Sequence, residues 1–259
     1  MKITAFKDIA FEALSISYSD SQLFRLSFDR NVTKITEYFI TVNLCKQLFE
    51  WNSKNNYPYK IEAEKETFEF YRNCFESSIF KTNESYFPDE ICVYSHENFL
   101  KNISSIRKGR IDITISKEIA NRNISTSIIE VKSINPPIAK LKEDYDRIQQ
   151  YLNSSIPGFQ NSLENGFIVF VKHINNLKKI QTQSDLSQQK ESYLKRIKKV
   201  LTGISSENID FVIHTDDIEN SPFENLNLNK DDDDYNEIAY RTFLAFAVII
   251  ELKICHLRN

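Results

Sequence analysis

The sequence reads Gly109-Arg110-Ile111-Asp112-Ile113-Thr114-Ile115 in one stretch and Ser127-Ile128-Ile129-Glu130-Val131-Lys132-Ser133 in a second, and these two stretches decide the fold. The first stretch alternates apolar and polar residues with a period of two, and in the second Ile129 and Val131 alternate with Glu130 and Lys132, which predicts a β-strand in each. The polar residues between them predict a turn of the chain, so the two strands should pair antiparallel. Asp112, Glu130 and Lys132 would then lie side by side, with Ile111, Ile113 and Ile115 together on the opposite face.

The three polar residues of these strands suit metal-assisted hydrolysis of a phosphodiester. Two neighbouring carboxylates bind Mg²⁺, a hard cation that takes oxygen ligands and keeps several of its waters. The ion lowers the pKa of a bound water and stabilises the charge that develops on a phosphate. A nearby lysine supplies a positive charge that can orient or deprotonate the attacking water. Asp112, Glu130 and Lys132 are therefore the candidate catalytic residues.

With Asp112 followed by Glu130-Val131-Lys132 on paired strands, the chain resembles the PD-(D/E)XK nuclease superfamily, which has the restriction-endonuclease-like fold. The resemblance covers about residues 33–213. It implies that Asp112, Glu130 and the main-chain carbonyl of Val131 bind Mg²⁺, for which Mn²⁺ can substitute, and that Lys132 positions the attacking water. In place of the proline that usually precedes the aspartate, this chain has Arg110-Ile111.

The same resemblance implies a further carboxylate from the helix before the first core strand. Glu37 is the candidate for this additional metal ligand. The competing interpretation is a carboxylate near a helix terminus, stabilised there by the helix dipole.

The function that the resemblance implies is Mg²⁺-dependent cleavage of DNA by an endonuclease of the restriction or phage-defence type, acting as a homodimer where both strands are cut. One alternative is a nuclease-fold subunit that binds nucleic acid or depends on a partner protein of a defence system, without activity of its own. Another is that the three charged residues form a structural ion-pair cluster, in which case Mg²⁺ should neither bind nor stabilise the protein.

Composition bounds these interpretations. With 259 residues, 41% hydrophobic and 27% charged, the chain should form a single domain over residues 1–259 with a substantial core. A formal net charge of −3 excludes binding to DNA through bulk positive charge, so any contact requires a local basic patch. Arg107, Lys108 and Arg110, close to Asp112, are the candidate phosphate contacts, and ordinary solvated charge is the alternative.

Other classes of function lack their sequence signatures. The four cysteines are scattered without a Cys-x-x-Cys pair, so they should be reduced thiols rather than disulfides or zinc ligands. No Gly-rich phosphate loop, Gly-x-Ser-x-Gly or His-Glu-x-x-His motif occurs. The N-terminal residues lack a signal-peptide pattern, and the longest apolar run, residues 243–250, is too short to span a bilayer. A cytoplasmic protein is expected.

Along the chain, the patterns predict an α/β architecture of three layers, a mixed central sheet flanked by helices. Residues 1–30 should contain an N-terminal β-hairpin, because residues 11–28 alternate as strands do. Residues 33–213 should form the core, beginning with a helix over residues 33–51 whose apolar face carries Ile35, Phe39, Val42, Cys45 and Phe49. Residues 236–257 should form a C-terminal helix that is apolar on most sides.

The elements within the predicted core follow the same reasoning. Residues 59–67 alternate as a strand, and a short helix follows. After Lys132, a helical stripe predicts a helix that covers the sheet, and the continuous apolar run 167–171 predicts a strand buried on both faces. A basic helix over residues 184–201 and a strand from residue 209 complete the core. The stripe consists of Ile138, Leu141, Tyr145, Ile148 and Leu152.

Overall fold

The computed structural model describes residues 3–23, 33–84, 109–119, 122–155, 160–176, 178–223 and 234–255. Six helices and six strands occur in this part of the chain. In chain order they are α1 (Ile3–Leu23), α2 (Thr33–Lys54), β1 (Lys60–Glu66), α3 (Thr67–Glu84), β2 (Arg110–Ile119), β3 (Arg122–Val131), α4 (Ile138–Leu152), β4 (Asn165–Asn175), α5 (Gln183–Thr202), β5 (Ile209–Ser221), α6 (Tyr235–Arg241) and β6 (Phe243–Ile254).

The six strands form one mixed sheet with the order β1-β2-β3-β4-β6-β5. The strands β1, β2 and β3 are a run of antiparallel neighbours, and β4 pairs parallel to β3. The helix α4 lies in the connection between these two parallel strands, as a crossover requires. The strand β6 pairs antiparallel with both β4 and β5. The predicted α/β class, the mixed sheet and the pairing of β2 with β3 are therefore confirmed.

Two apolar cores lie on the two faces of this sheet. Helices α3, α4 and α5 cover one face, where their buried residues include Phe70, Tyr145 and Ile197. Helices α1 and α2 cover the other face, with Leu14 and Leu44 among their buried residues. We call these the α4 core and the α1 core. The layers are helix, sheet, helix, an arrangement that buries both faces of the sheet.

The N-terminal prediction is wrong, because the stretch predicted as a β-hairpin is the helix α1 through Leu23, and residues 24–30 lie outside the described part of the chain. The alternation of Leu14, Ser15, Ile16 and Ser17 imitates a strand. The residues that are buried instead follow helical spacing, and they include Ala10, Ala13, Leu14, Ser17, Tyr18 and Ser21. Both serines fit this apolar face because each donates its hydroxyl to the carbonyl four residues earlier, at 2.6 Å for Ser17 and 2.7 Å for Ser21.

The C-terminal prediction is also wrong, because residues 236–257 do not form one helix. The short helix α6 ends at Arg241 and the strand β6 follows. Alternate residues of β6 enter opposite cores, as Phe246 and Val248 pack in the α4 core while Ala247 and Ile249 pack in the α1 core. A strand buried on both faces is apolar at nearly every position, so its periodicity does not distinguish it from a buried helix.

The helix α2 is found where it was expected, but its predicted apolar face is wrong. Ile40, Leu44 and Leu48 are buried against the sheet. Ile35, Val42 and Phe49, which were expected in the core, are 49%, 43% and 58% exposed. The helix is apolar on two sides, and the pattern alone did not show which side would face the sheet. Among the described helices, none has the length and apolar composition needed to cross a membrane.

Candidate active site

The predicted site lies where β2 begins and β3 ends. Ile113 of β2 is paired with Ile129 of β3, so the antiparallel register places Asp112 beside Glu130. Asp112 Oδ2 accepts a hydrogen bond of 2.7 Å from the Val131 main-chain N–H. The structure thus brings the two predicted carboxylates together and anchors one oxygen of Asp112 to the backbone of β3.

The neighbouring strand β1 is irregular at the same level. Its ladder with β2 pairs Ala63 with Ile113 and Lys65 with Ile111, and Glu64 between them has φ 52°. A non-glycine residue in this left-handed region is uncommon, and residues with such strained backbone cluster at active sites and ligand-binding segments. The alternation of β2 changes here as well, because Ile111 packs in the α4 core while Ile113 and Ile115 pack in the α1 core. The expectation that all three isoleucines share one face is therefore wrong.

Lys132 follows directly after β3 and lies among carboxylates. Its Nζ donates a hydrogen bond of 2.7 Å to the Val131 carbonyl oxygen. The same atom is 3.3 Å from Asp144 Oδ2 and 3.9 Å from both Asp112 Oδ2 and Glu37 Oε1. Burial by itself would lower the pKa of Lys132, but the surrounding carboxylates, Asp144 first among them, outweigh it and raise the pKa. The lysine is accordingly an ammonium group at neutral pH.

Glu130 is the most buried of the predicted catalytic residues. It is 2% exposed, and its Oε1 atom is buried without a hydrogen-bond partner among the described residues. Burial, and secondarily the negative charge of Asp112, raise the pKa of Glu130 to about 8, although the nearby Arg147 acts against this shift. A buried carboxylate with an unused oxygen is costly for a fold to maintain. This group therefore calls for a ligand or a functional explanation.

Glu37 of α2 also reaches the site, as predicted from the resemblance. Its carboxylate is 3.9 Å from Lys132 Nζ, and its side chain is 37% exposed. Burial raises the pKa of Glu37, Lys132 opposes this effect, and Asp112 and Asp144 add to it. The helix α2 thus contributes an acidic group from the face of the sheet opposite to α4.

Two residues of the site were missed by the sequence analysis, and both lie on α4. Arg147 donates from Nη2 to Asp144 Oδ1 in a short contact, and the same nitrogen is 3.4 Å from Glu130 Oε2. Burial raises the pKa of Asp144, and the cations Lys132 and Arg147 oppose that shift. A signal was present in the sequence, because Asp144 lies between Leu141 and Ile148 on the buried stripe of the helix. A carboxylate at such a position requires a partner.

The charges of the site do not balance. Four carboxylates, those of Glu37, Asp112, Glu130 and Asp144, surround the two cations Lys132 and Arg147, which leaves an excess of two negative charges when all are ionised. Within the described part of the chain, no group of three or more His, Cys, Asp or Glu side chains is already arranged to hold a metal ion. The arrangement does offer two adjacent carboxylates and a main-chain carbonyl, all of them oxygen ligands.

The predicted phosphate contacts are only partly described. Arg107 and Lys108 lie outside the described residues. Arg110, at the start of β2, donates from Nε to Glu66 Oε1 at 3.2 Å, and the two side chains are 60% and 59% exposed. An exposed pair of this kind is weak. Arg110 therefore remains accessible to a ligand that approaches Asp112.

Comparisons of this chain with protein-family models, with curated proteins and with solved structures found no match.

Proposed function

We propose that this protein is a metal-dependent nuclease that hydrolyses phosphodiester bonds of DNA. The observation that carries the proposal is the pair Asp112 and Glu130, in which Glu130 Oε1 is buried without a hydrogen-bond partner. No apolar or neutral ligand would offset the excess negative charge around this pair. Because the pKa of Glu130 is about 8, this group largely holds a proton at neutral pH when no metal is bound, and a divalent cation would displace that proton and balance the two excess negative charges of the fully ionised site.

The donor set fits Mg²⁺ or Mn²⁺. Carboxylate and carbonyl oxygens are the ligands that these hard cations take, and Mg²⁺ is often bound through only one or two carboxylates. Asp112, Glu130 and the Val131 carbonyl would hold the ion, with Glu37 as a further ligand. When bound, the ion would acidify a water molecule and stabilise negative charge on the phosphate.

The residues of this chain would perform the remaining steps. Because its pKa is raised, Lys132 acts as a fixed positive charge rather than as a base, orienting the attacking water and the phosphate through its ammonium group. For this purpose its Nζ would have to release the Val131 carbonyl oxygen, to which it donates at 2.7 Å. Asp112, anchored by the Val131 N–H, keeps one end of the site rigid.

The fold supports the same proposal. The element order is a helix (α2), a strand (β1), a helix (α3), two antiparallel strands (β2 and β3), a crossover helix (α4) and a parallel strand (β4), which resembles the order of a restriction-endonuclease-like core. This support is by analogy of fold and does not identify a substrate. DNA as substrate, a restriction or phage-defence role, a cytoplasmic location and a homodimer for cutting both strands belong to the proposal on the strength of the resemblance.

Cleavage of supercoiled plasmid tests the proposal. The purified protein, Lys132→Ala and the control Lys140→Ala would each be incubated with Mg²⁺, Mn²⁺ or EDTA. Lys140 is a suitable control because it lies on α4 with its side chain 60% exposed. We expect nicking or linearisation by the wild type and by Lys140→Ala with either metal, at least 100-fold less product with Lys132→Ala, and none in EDTA. Equal cleavage by all three proteins would contradict the assignment.

A second function is favoured by one specific observation. Arg147 lies against Glu130, and Lys132 against Asp144, so the ionised groups already have partners without a metal. This would suit a nuclease-fold subunit that binds nucleic acid or awaits a partner protein. A purified chain that retards DNA in a gel but cleaves it under none of these conditions would select this alternative.

A further inference from the structure

A row of alternating charges runs along the face of α4 that is turned to the sheet. Lys132 Nζ is 3.3 Å from Asp144 Oδ2. The other oxygen of Asp144, Oδ1, accepts a hydrogen bond from Arg147 Nη2. Arg147 Nη2 is also 3.4 Å from Glu130 Oε2. The two end residues of this row, Lys132 and Glu130, both belong to the predicted Glu-x-Lys motif. The helix α4 is thus connected to both charged residues of that motif.

This row is desolvated, which separates it from ordinary surface pairs on the same helix. The Asp144 and Arg147 side chains are 5% and 21% exposed, whereas the Lys140 and Glu143 side chains, also three residues apart on α4, are 60% and 55% exposed. Burying an ion pair gains little stability, because the lost hydration offsets the attraction. The buried pair therefore needs an explanation other than stability.

The two carboxylates of the site are anchored in the same manner. Asp112 Oδ2 accepts a hydrogen bond from the Val131 N–H, and Glu130 Oε2 forms an ion pair with Arg147. On Glu130 the other oxygen, Oε1, is buried and has no hydrogen-bond partner among the described residues. One oxygen is held and one is left unused, which is the arrangement that a carboxylate ligand of a metal requires.

We propose that Arg147, oriented by Asp144, is a positioning residue that fixes Glu130 through Oε2 and thereby directs Oε1 to a divalent cation. This inference rests on the proposed function and goes beyond it by assigning a role to two residues of α4. Arg147 touches neither the cation nor the substrate and acts only through Glu130. Partners of this kind typically change metal affinity or activity 10- to 100-fold when they are lost.

The test measures metal binding without measuring cleavage. Full-length protein stripped with chelator would be titrated with Mn²⁺, and separately with Mg²⁺, while its thermal unfolding is followed. A ligand that binds only the folded state raises the melting temperature in proportion to the logarithm of its concentration over its dissociation constant. The proteins are the wild type, Arg147→Met, Arg147→Lys and the matched surface control Lys140→Met.

We expect the wild type and Lys140→Met to share one apparent dissociation constant for the metal, fitted from the rise of the melting temperature with metal concentration. Arg147→Met should raise it 10- to 100-fold. Arg147→Lys keeps the positive charge but lacks the planar guanidinium that can contact Asp144 and Glu130 together, so it should raise the value several-fold. If Arg147→Met does not fold, Arg147→Lys decides the question.

Two other outcomes are separable. If the wild type responds to metal and both Arg147 variants respond at the same or lower concentrations, the positioning role is overturned while the metal site stands. The same holds if the variants only melt earlier without metal, since this would be a purely structural effect. If the wild type itself shows no response to either metal, the proposed metal site fails, and the inference fails with it.

Discussion

At the scale of single residues, the buried carboxyl group of Glu130 departs from what a stable core would contain. A neutral side chain of similar size would fit the same space without the penalty of burying a charge. The carboxyl group titrates at about 8 because burial and Asp112 both disfavour its ionised form. Removing its charge should therefore stabilise the protein while destroying the site.

We expect Glu130→Gln to be more stable than the wild type by about 1–3 kcal/mol in EDTA at pH 8. Since the pKa is about 8 in the folded protein against 4.5 ordinarily, the folded state holds the proton more tightly, and wild-type stability should fall as the pH rises from about 4.5 to 8. The stability of Glu130→Gln should not fall over this pH range, because glutamine does not titrate. Arg147 still has Asp144 as an ion-pair partner in the variant. Urea unfolding at several pH values measures the difference.

The difference should shrink toward zero below about pH 4.5, where the wild-type carboxyl group is protonated in both states. Asp112, Asp144, Lys132 and Arg147 face Glu130 and are the same residues in both proteins. A variant that is less stable than the wild type at pH 8 would mean that the contact between Arg147 and Glu130 contributes net stability, contrary to this reasoning.

A second residue-scale prediction concerns Gly166 in β4, where α4 approaches the sheet. A Cβ atom added there would lie 2.1 Å from Ile148 Cγ2. Because Ile148 is β-branched and fully buried, it cannot swing away, and we expect Gly166→Ala to lose about 1–3 kcal/mol of stability. Chemical denaturation checks this value.

Gly203 provides the matched control for that substitution. It ends α5 with φ −70°, and the atom nearest to an added Cβ lies at 3.5 Å. Gly203→Ala should therefore be neutral or stabilise by up to about 1 kcal/mol. Combining Gly166→Ala with Ile148→Ala should be less harmful than the two single effects added together, because each change relieves the other. If the changes in the free energy of unfolding are fully additive, residues 148 and 166 do not contact each other.

At the scale of elements, the helix α2 carries apolar residues on two sides, and only one side is buried. Leu44 is fully buried and Val42 is 43% exposed. We expect Leu44→Ala to cost about 2–5 kcal/mol and Val42→Ala to stay within about 0.5 kcal/mol of the wild type. Urea denaturation of the two variants compares these values. The reverse ranking would mean that α2 is rotated about its axis relative to this structure.

The sequence specified some elements of this fold better than others, for physical reasons. The strands β2 and β3 were predictable because polar residues recur between the apolar ones in their sequences, which indicates a period of two. The strand β6 was not, because both of its faces are buried and its residues are apolar throughout. The helix α1 was predicted as strands because Ser15 and Ser17 alternate with Leu14 and Ile16. The sequence pattern does not show that a serine hydroxyl can donate to a main-chain carbonyl of its own helix, as Ser17 does.

The residues of the candidate site also differ in how well the sequence predicts them. Asp112, Glu130 and Lys132 could be predicted because they share one short motif on two neighbouring strands, and Glu37 because of the resemblance. Asp144 and Arg147 belong to another element, and their partners are 12 or more residues away in the chain. Their contacts with Lys132 and Glu130 depend on how α4 lies on the sheet. Local spacing does not contain this information.

At the scale of the whole molecule, β6 connects the two cores. Phe246 and Val248 pack in the α4 core, Ala247 and Ile249 in the α1 core, and the strand pairs on both edges with β4 and β5. A substitution that destabilises one core should therefore lower the stability of the other core as well, because both pack on the same sheet. The expected consequence is a single cooperative unfolding transition.

The single tryptophan of the chain allows this cooperativity to be measured. Trp51 lies on α2 and packs against the α1 core, on the opposite side of the sheet from Phe246. We expect Phe246→Ala to cost about 3–5 kcal/mol and to lower the urea midpoint by the same amount in Trp51 fluorescence and in far-ultraviolet circular dichroism. The control Val212→Ala, on the edge strand β5 and 41% exposed, should leave both midpoints unchanged. A fluorescence midpoint that stays at the wild-type value while the dichroism signal falls in two steps would show that the two helical layers unfold independently, and that β6 does not couple them.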